Sequence, residues 1–146
     1  PPTPRGLQDP GMTAPREVPC VGAIVFDAHG RVLLVQRGNP PAQGQWSIPG
    51  GRVEPDEALH DAVVRELHEE TGLAGVVDRL VGEVRRDAPD GSVYVIHDYV
   101  IRVEGSPMPQ AGDDAMDAGW FAPEELSALD TSAGLVEALR DWNLLP

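Results

Sequence analysis

One amphipathic helix, framed by glycines and set between strand-like runs, most limits the folds open to this chain. In GGRVEPDEALHDAVVRELHEETGL, residues 50–73, Leu59, Val63 and Leu67 recur at helical spacing. Pro55 suits a first helical turn, Asp56 and Glu57 suit the positive end of the helix dipole, and Gly72 is a natural stop. A helix from about Pro55 to Thr71 is predicted.

On either side the pattern changes to strands. VPCVGAIVF is a near-continuous apolar run, DAHG a turn and RVLLVQR a second strand, which together predict a hairpin. The loop GNPPAQGQ leads to a short apolar WSIP. Beyond the helix, GVVDRLVGEVRR and SVYVIHDYVIRV flank the turn DAPDG, and the second is apolar on both faces, as a central, covered strand would be. After the polar loop EGSPMPQAGDD come a short strand at AGWF, a capped helix from APEEL and a last helix around AGLVEALRDW. Mixed strands with a helix between them predict an α/β fold, a three-layer α/β/α sandwich around a mixed sheet. There is no internal repeat.

The 146 residues suffice for one core and are too few for two ordinary domains. Residues 1–16, rich in Pro and Gly and without periodicity, read as a flexible segment, with Met12 a candidate native start; the folded domain is expected over residues 17–146. A formal net charge of -13 repels long nucleic acid. No apolar run approaches the roughly 20 residues that span a bilayer, there is no signal pattern, and the single Cys20 sits in an apolar run, so a cytoplasmic protein with a buried thiol is expected.

The predicted helix carries a conflict. Glu66, Glu69 and Glu70 fall at i, i+3 and i+4, within one narrow sector, where like-charge pairs destabilise a helix by roughly 0.2–0.5 kcal/mol each. Leu59, Val63 and Leu67 lie in or beside that sector, which places the carboxylates at the edge of the buried face. A solvated acidic stripe paired with Arg65 is the bland reading. A divalent cation resolves the repulsion instead, since converging hard oxygen donors suit Mg²⁺ or Mn²⁺, and those ions keep waters that phosphate oxygens can replace. PGG, Pro49 to Gly51, permits close approach of backbone to a ligand just before the helix.

These residues form one long pattern: Gly51, five residues, Glu57, seven residues, Arg65-Glu66-Leu67, one residue, Glu69-Glu70, one residue, Gly72-Leu73. It resembles the Nudix box, G-x5-E-x7-R-E-U-x-E-E-x-G-U with U a bulky aliphatic, and every specified position matches. Chance produces it in such a chain with probability on the order of 10⁻⁷ or less. The strand order and the GWF-APEEL ending are similar to the family over roughly residues 18–140.

The resemblance implies a divalent-metal-dependent hydrolase of a nucleoside diphosphate linked to another moiety. It implies Glu66, Glu69, Glu70 and the Gly50 carbonyl as metal ligands, with Mg²⁺ or Mn²⁺ as cofactor, and Gly51, Glu57, Arg65 and Gly72 as structural support. An ion pair between Arg65 and Glu57 would orient the helix. The general base stays open between Glu66 in the box and Asp113 or Asp114 in the loop GDDAMD. Arg37, Trp46, Arg86 and His97 are candidate substrate contacts; Tyr99, Trp120 and Arg85 offer similar chemistry.

In the family a proline about sixteen residues beyond the box accompanies ADP-ribose pyrophosphatases, and Pro89 occupies that place, though a turn alone would also attract it. ADP-ribose, cleaved to AMP and ribose 5-phosphate, is therefore the favoured substrate. Sanitising oxidised nucleoside triphosphates is the alternative, and a non-catalytic nucleotide sensor is a third reading that the complete set of box carboxylates disfavours. Expected partners are a small nucleotide-derived substrate and, as the family allows, a second copy of the chain; no membrane is expected.

Overall fold

The computed structural model describes residues 14–40 and 42–145. The expected flexible segment, apart from Ala14, Pro15 and Arg16, lies outside the described residues, as does Met12. In chain order the elements are β1 (Glu17–Phe26), β2 (Val32–Arg37), β3 (Trp46–Ser47), β4 (Gly50–Arg52), α1 (Leu59–Thr71), β5 (Val76–Asp87), β6 (Val93–Arg102), β7 (Ala115–Phe121), a 3-10 helix (Pro123–Ala128) and α2 (Leu135–Asp141).

The strands form one mixed sheet with α1 on one face and α2 on the other, the expected sandwich. β1 runs parallel to β6 along its whole length, from Glu17 opposite Val93 to Phe26 opposite Arg102. β6, read from its sequence as central, lies between β1 and the antiparallel edge strand β5. Side chains alternate across the sheet: Val21, Ala23, Val25, Tyr99 and Ile101 meet Ala62, Val63 and Leu67 of α1, whereas Ile24, Val32, Leu34 and Val100 meet Leu135 and Leu139 of α2. Val63 and Leu67 are completely buried, which stabilises the fold by roughly 1.5–3 kcal/mol per side chain.

Three expectations change. The helix begins at Leu59 rather than near Pro55, because Glu54–Glu57 forms a turn with Asp56 at a left-handed φ of 64° and the Glu57 amide donating to the Glu54 carbonyl at 3.0 Å. The first hairpin is splayed: only Phe26 pairs with Val32, since the unforeseen β4 takes the ladder of Cys20, Val21 and Gly22. β2 pairs instead with β3 and, along its length, with β7. The APEEL segment is a single 3-10 helix, with Glu125 Oε1 accepting from the Ala122 amide at 2.7 Å. Among the described residues no helix is long and apolar enough to cross a membrane.

Candidate active site

The place where β1 leaves β2 for β4 brings backbone close to the acidic helix. Gly22 stands opposite Gly50, and Val21 opposite Gly51. At Gly51 a Cβ would overlap the Glu66 carboxylate, and at Gly50 it would overlap the Val21 carbonyl oxygen, so both glycines are required by space. The Gly50 amide donates to Glu70 Oε1 at 2.8 Å. Across the helix end, the loop before β7 docks on the last turn of α1: the Gly112 amide donates to the Glu70 carbonyl at 3.0 Å and the Gln110 amide to the Thr71 carbonyl at 2.9 Å. Gly72, at φ 75°, ends the helix in the left-handed conformation that glycine adopts without strain.

A cleft of about 310 Å³ results, lined by Glu66, Glu69, Glu70, Gly112, Asp113, Asp114 and Ala115. Thus the three box glutamates and the two loop aspartates, far apart in sequence, share one wall-to-wall acidic space. Burial pushes the Glu70 carboxyl up to about 7, against the Gly50 amide that lowers it; the charges of Glu66 and Asp114 raise it further and Arg37 opposes them. Burial also raises Glu66, with the charges of Glu69 and Glu57 adding to the effect and Arg65 opposing it.

Arg65 organises the other side. Its Nε donates to Glu57 Oε2 at 2.7 Å and its Nη2 to Glu57 Oε1 at 2.9 Å, a fork matched to a carboxylate. Nη1 reaches Glu66 Oε2 at 3.2 Å and Glu69 Oε1 at 3.2 Å, and Nη2 also meets the Arg52 carbonyl at 3.1 Å. The fork holds the Glu57 carboxyl down at about 2. The turn that delays the helix start makes this fork geometry available, because it turns Glu57 back so that its Oε1 also accepts from the Glu54 amide at 3.0 Å.

Among the described residues no three acidic, His or Cys side chains stand close enough to enclose an ion as they are; Arg65 draws Glu66 and Glu69 toward itself. The donor chemistry nevertheless fits a hard divalent cation: five carboxylates line one cleft, and burial together with the charges of Glu66 and Asp114 outweighs the Gly50 amide and Arg37 in raising Glu70.

The remaining candidates are scattered. Arg37, at the end of β2, contributes its charge to Glu70 and stands opposite Ala115 in the cleft wall. Trp46 packs edge-on against Phe121 with ring centroids 4.8 Å apart, within the cluster under α2. His97 lies with Nδ1 3.9 Å from Glu83 Oε1. Arg86 stands toward the start of α2, where a Cβ on Gly134 would come within 3.4 Å of its Nη2. None of these three lines the acidic cleft. Tyr99 is buried edge-on to His60, and the Trp120 indole donates to the Pro107 carbonyl at 2.8 Å. Pro89 sits in the exposed β5–β6 turn. Sequence reading passed over Asp98, which is 5% exposed on β6 with Oδ1 unpartnered; an acid inside a doubly apolar strand was the available signal.

Comparison with known proteins bears on the family and the fold. A family model for a NUDIX domain matches residues 16–142. The chain is 37% identical over 106 residues to an ADP-ribose pyrophosphatase of Methanocaldococcus jannaschii, covering 72% of this chain and 62% of that protein. It is 35% identical over 109 residues to a CTP pyrophosphohydrolase of Escherichia coli, covering 72% and 76%. The fold matches the E. coli ORF135 protein with a TM-score of 0.73 at 30% identity, over 88% of this chain and 92% of that one. It also matches the NUDIX domain of Shewanella oneidensis NrtR, solved with ADP ribose, with a TM-score of 0.74 at 25% identity over 92% of each chain.

Proposed function

The chain belongs to the Nudix family, and from that premise we propose that it hydrolyses a phosphoric anhydride bond in a small nucleoside diphosphate derivative, with ADP-ribose the favoured substrate. The observation that carries the proposal is the single cleft into which α1 presents Glu66, Glu69 and Glu70 and the loop before β7 presents Asp113 and Asp114. The name of the archaeal relative supports ADP-ribose. The E. coli relative, named for CTP, supports a nucleoside triphosphate as the second reading; an oxidised nucleotide belongs to that same class.

Nudix hydrolases use divalent metals, and here Glu66, Glu69, Glu70 and the Gly50 carbonyl would hold the ion. When bound, Mg²⁺ or Mn²⁺ supplies charge to offset the anhydride oxygens and lowers the pKa of a coordinated water. Arg65 keeps α1 and its carboxylates in orientation through the fork to Glu57. The Gly50 amide holds Glu70 at the cleft floor. Arg37 stands where its charge meets the anionic substrate at the cleft edge. Water adds to phosphorus, the bridging P–O bond breaks, and the water proton passes to one of the carboxylates Glu66, Asp113 or Asp114.

The test is product analysis with purified protein offered ADP-ribose, NADH, a diadenosine polyphosphate, CTP and 8-oxo-dGTP, each with Mg²⁺ and with EDTA. Metal-dependent release of AMP and ribose 5-phosphate is expected. Selective release of pyrophosphate from a triphosphate would move the assignment to the second reading, and no turnover of any compound would remove the activity proposed.

A further inference from the structure

The last turn of α1 ends in carbonyls that the helix itself cannot pair, and the loop before β7 supplies their donors. Gln110 donates to the Thr71 carbonyl at 2.9 Å and Gly112 to the Glu70 carbonyl at 3.0 Å. The contact leaves no room for a side chain. A Cβ on Gly112 would stand 2.4 Å from the Glu69 carbonyl oxygen and 3.3 Å from the Glu70 Cα. Both are main-chain atoms of a packed helix, so neither can yield as the tip of a flexible side chain would. The backbone of Gly112 lies outside the left-handed region, so space rather than conformation requires glycine here.

The next two residues are Asp113 and Asp114, and the chain is pinned again directly beyond them. The Gly38 amide, just past β2, donates to the Asp114 carbonyl at 3.0 Å, and the Ala115 amide closes back on the Gly112 carbonyl at 3.2 Å. A Cβ on Gly38 would stand 3.0 Å from that same Asp114 carbonyl oxygen. Every one of these anchors is a main-chain bond and none uses a carboxylate, while both aspartates line the cleft with Glu66, Glu69 and Glu70. Relaxing the 2.4 Å overlap at Gly112 to an ordinary contact of roughly 3.5 Å would lift the loop by about 1 Å. That is the scale at which misplaced catalytic groups lose about 10²-fold in rate.

We propose that Gly112 is a positioning residue: the absence of a side chain seats the loop on α1 and so sets Asp113 and Asp114 at the separation from the box glutamates at which they serve the reaction. Gly38 is the second anchor of the same turn. The proposal rests on the hydrolase reading of the cleft and adds to it that the loop acids work only while the loop stays docked on the helix end.

The experiment is a double-mutant cycle in kcat and KM between Gly112→Ala and the paired change Asp113→Asn with Asp114→Asn. It is run in Mg²⁺ on ADP-ribose, or on CTP if product analysis favours the triphosphate. Hydrogen exchange of the Gln110 and Gly112 amides is measured beside it in wild type in EDTA. Gly112→Ala should lower kcat about tenfold or more with KM changed less than about threefold. The paired change should cost about tenfold or more in wild type and less than about threefold in Gly112→Ala, because acids already displaced have little left to lose. The two amides should exchange roughly a hundredfold or more slower than unprotected ones, a readout that needs no variant. If Gly112→Ala folds poorly, Gly38→Ala replaces it in the cycle. Losses that simply multiply, an unchanged kcat, a paired change without cost in wild type, or unprotected amides overturn the proposal. A wild type that cleaves nothing in Mg²⁺ is instead the failure of the hydrolase reading and removes the positioning role with it; an active wild type with any of the contrary results overturns the positioning role alone.

Discussion

The Gly50 amide donates to Oε1 of Glu70 at 2.8 Å, while the Gly112 amide donates to the carbonyl of the same Glu70 at 3.0 Å. One residue on the last turn of α1 is therefore gripped from two loops, one entering β4 and one entering β7. The walls of the acidic cleft are set by a side-chain bond on one side and a main-chain bond on the other.

Replacing Glu70 by Gln keeps an acceptor for the Gly50 amide but removes the charge. We expect kcat/KM to fall on the order of 10²-fold or more, and the thermal midpoint in EDTA at pH 8 to rise, because a buried carboxylate has been replaced by a neutral amide. Unaltered turnover in Mg²⁺ would remove Glu70 from the site.

Gly51→Ala places a methyl into the Glu66 carboxylate. The side chain must swing away, so kcat is expected to drop about tenfold or more with a smaller change in KM, while circular dichroism remains that of the wild type. Steady-state kinetics on the two proteins decides it, and a KM effect alone would show that Glu66 does not act on the chemistry.

Arg65→Lys retains a charge but loses the fork to Glu57 and the reach to Glu66 and Glu69. Turnover should fall roughly tenfold and the thermal midpoint by a few degrees. A lysine enzyme as active and as stable as wild type would mean that bidentate geometry is irrelevant here.

The carboxyls of Glu70 and Asp98 each lie at about 7, above their ordinary values of 4.5 and 3.8. Raised in the folded state, they contribute stability that is fully present below about pH 4 and is lost as pH climbs through about 7. Glu57, held at about 2, acts the other way and loses its contribution only as pH falls from its ordinary 4.5 toward that value. Denaturation in EDTA should therefore show stability falling between about pH 4.5 and pH 7.5, with a shallower fall in Asp98→Asn. A steady rise over that interval contradicts the burial of both acids.

Leu67→Ala, at a completely buried position of α1 beside the turn that carries Glu66, Glu69 and Glu70, tests the scaffold. Urea unfolding should register a loss of about 2–5 kcal/mol. A loss below about 1 kcal/mol would mean that α1 is not seated on the sheet as described.

Much of the site was legible because its spacing is local. Glu66, Glu69 and Glu70 share a helical sector wherever the helix sits, and Gly72 stops that helix through its own backbone preference. The strands β5 and β6 and the turn between them follow from runs and breakers of a few residues. Less was visible wherever long-range pairing intervened. β4 is a three-residue strand whose existence depends on Cys20, Val21 and Gly22 as partners. Trp46, a plausible base stack by composition, is drawn against Phe121, which is distant in sequence. The same holds for the aspartates, since contacts between distant segments, the Gly112 amide on the Glu70 carbonyl, the Gln110 amide on the Thr71 carbonyl and the Gly38 amide on the Asp114 carbonyl, bring Asp113 and Asp114 to the cleft.

By itself the sequence determined the family, the sandwich, the helix and the identity of its carboxylates, because periodicity, capping and spacing act over a few residues and survive without knowledge of neighbours. Tertiary structure alone decided that Arg65 is shared among Glu57, Glu66 and Glu69, that Glu70 is buried enough to sit at about 7, and that Asp98 stands opposite Gly22 and Gly82 with its Oδ1 buried and without a hydrogen-bond partner among the described residues. Those properties depend on desolvation and on register between segments far apart in the chain, and neither exists until the sheet has closed around them.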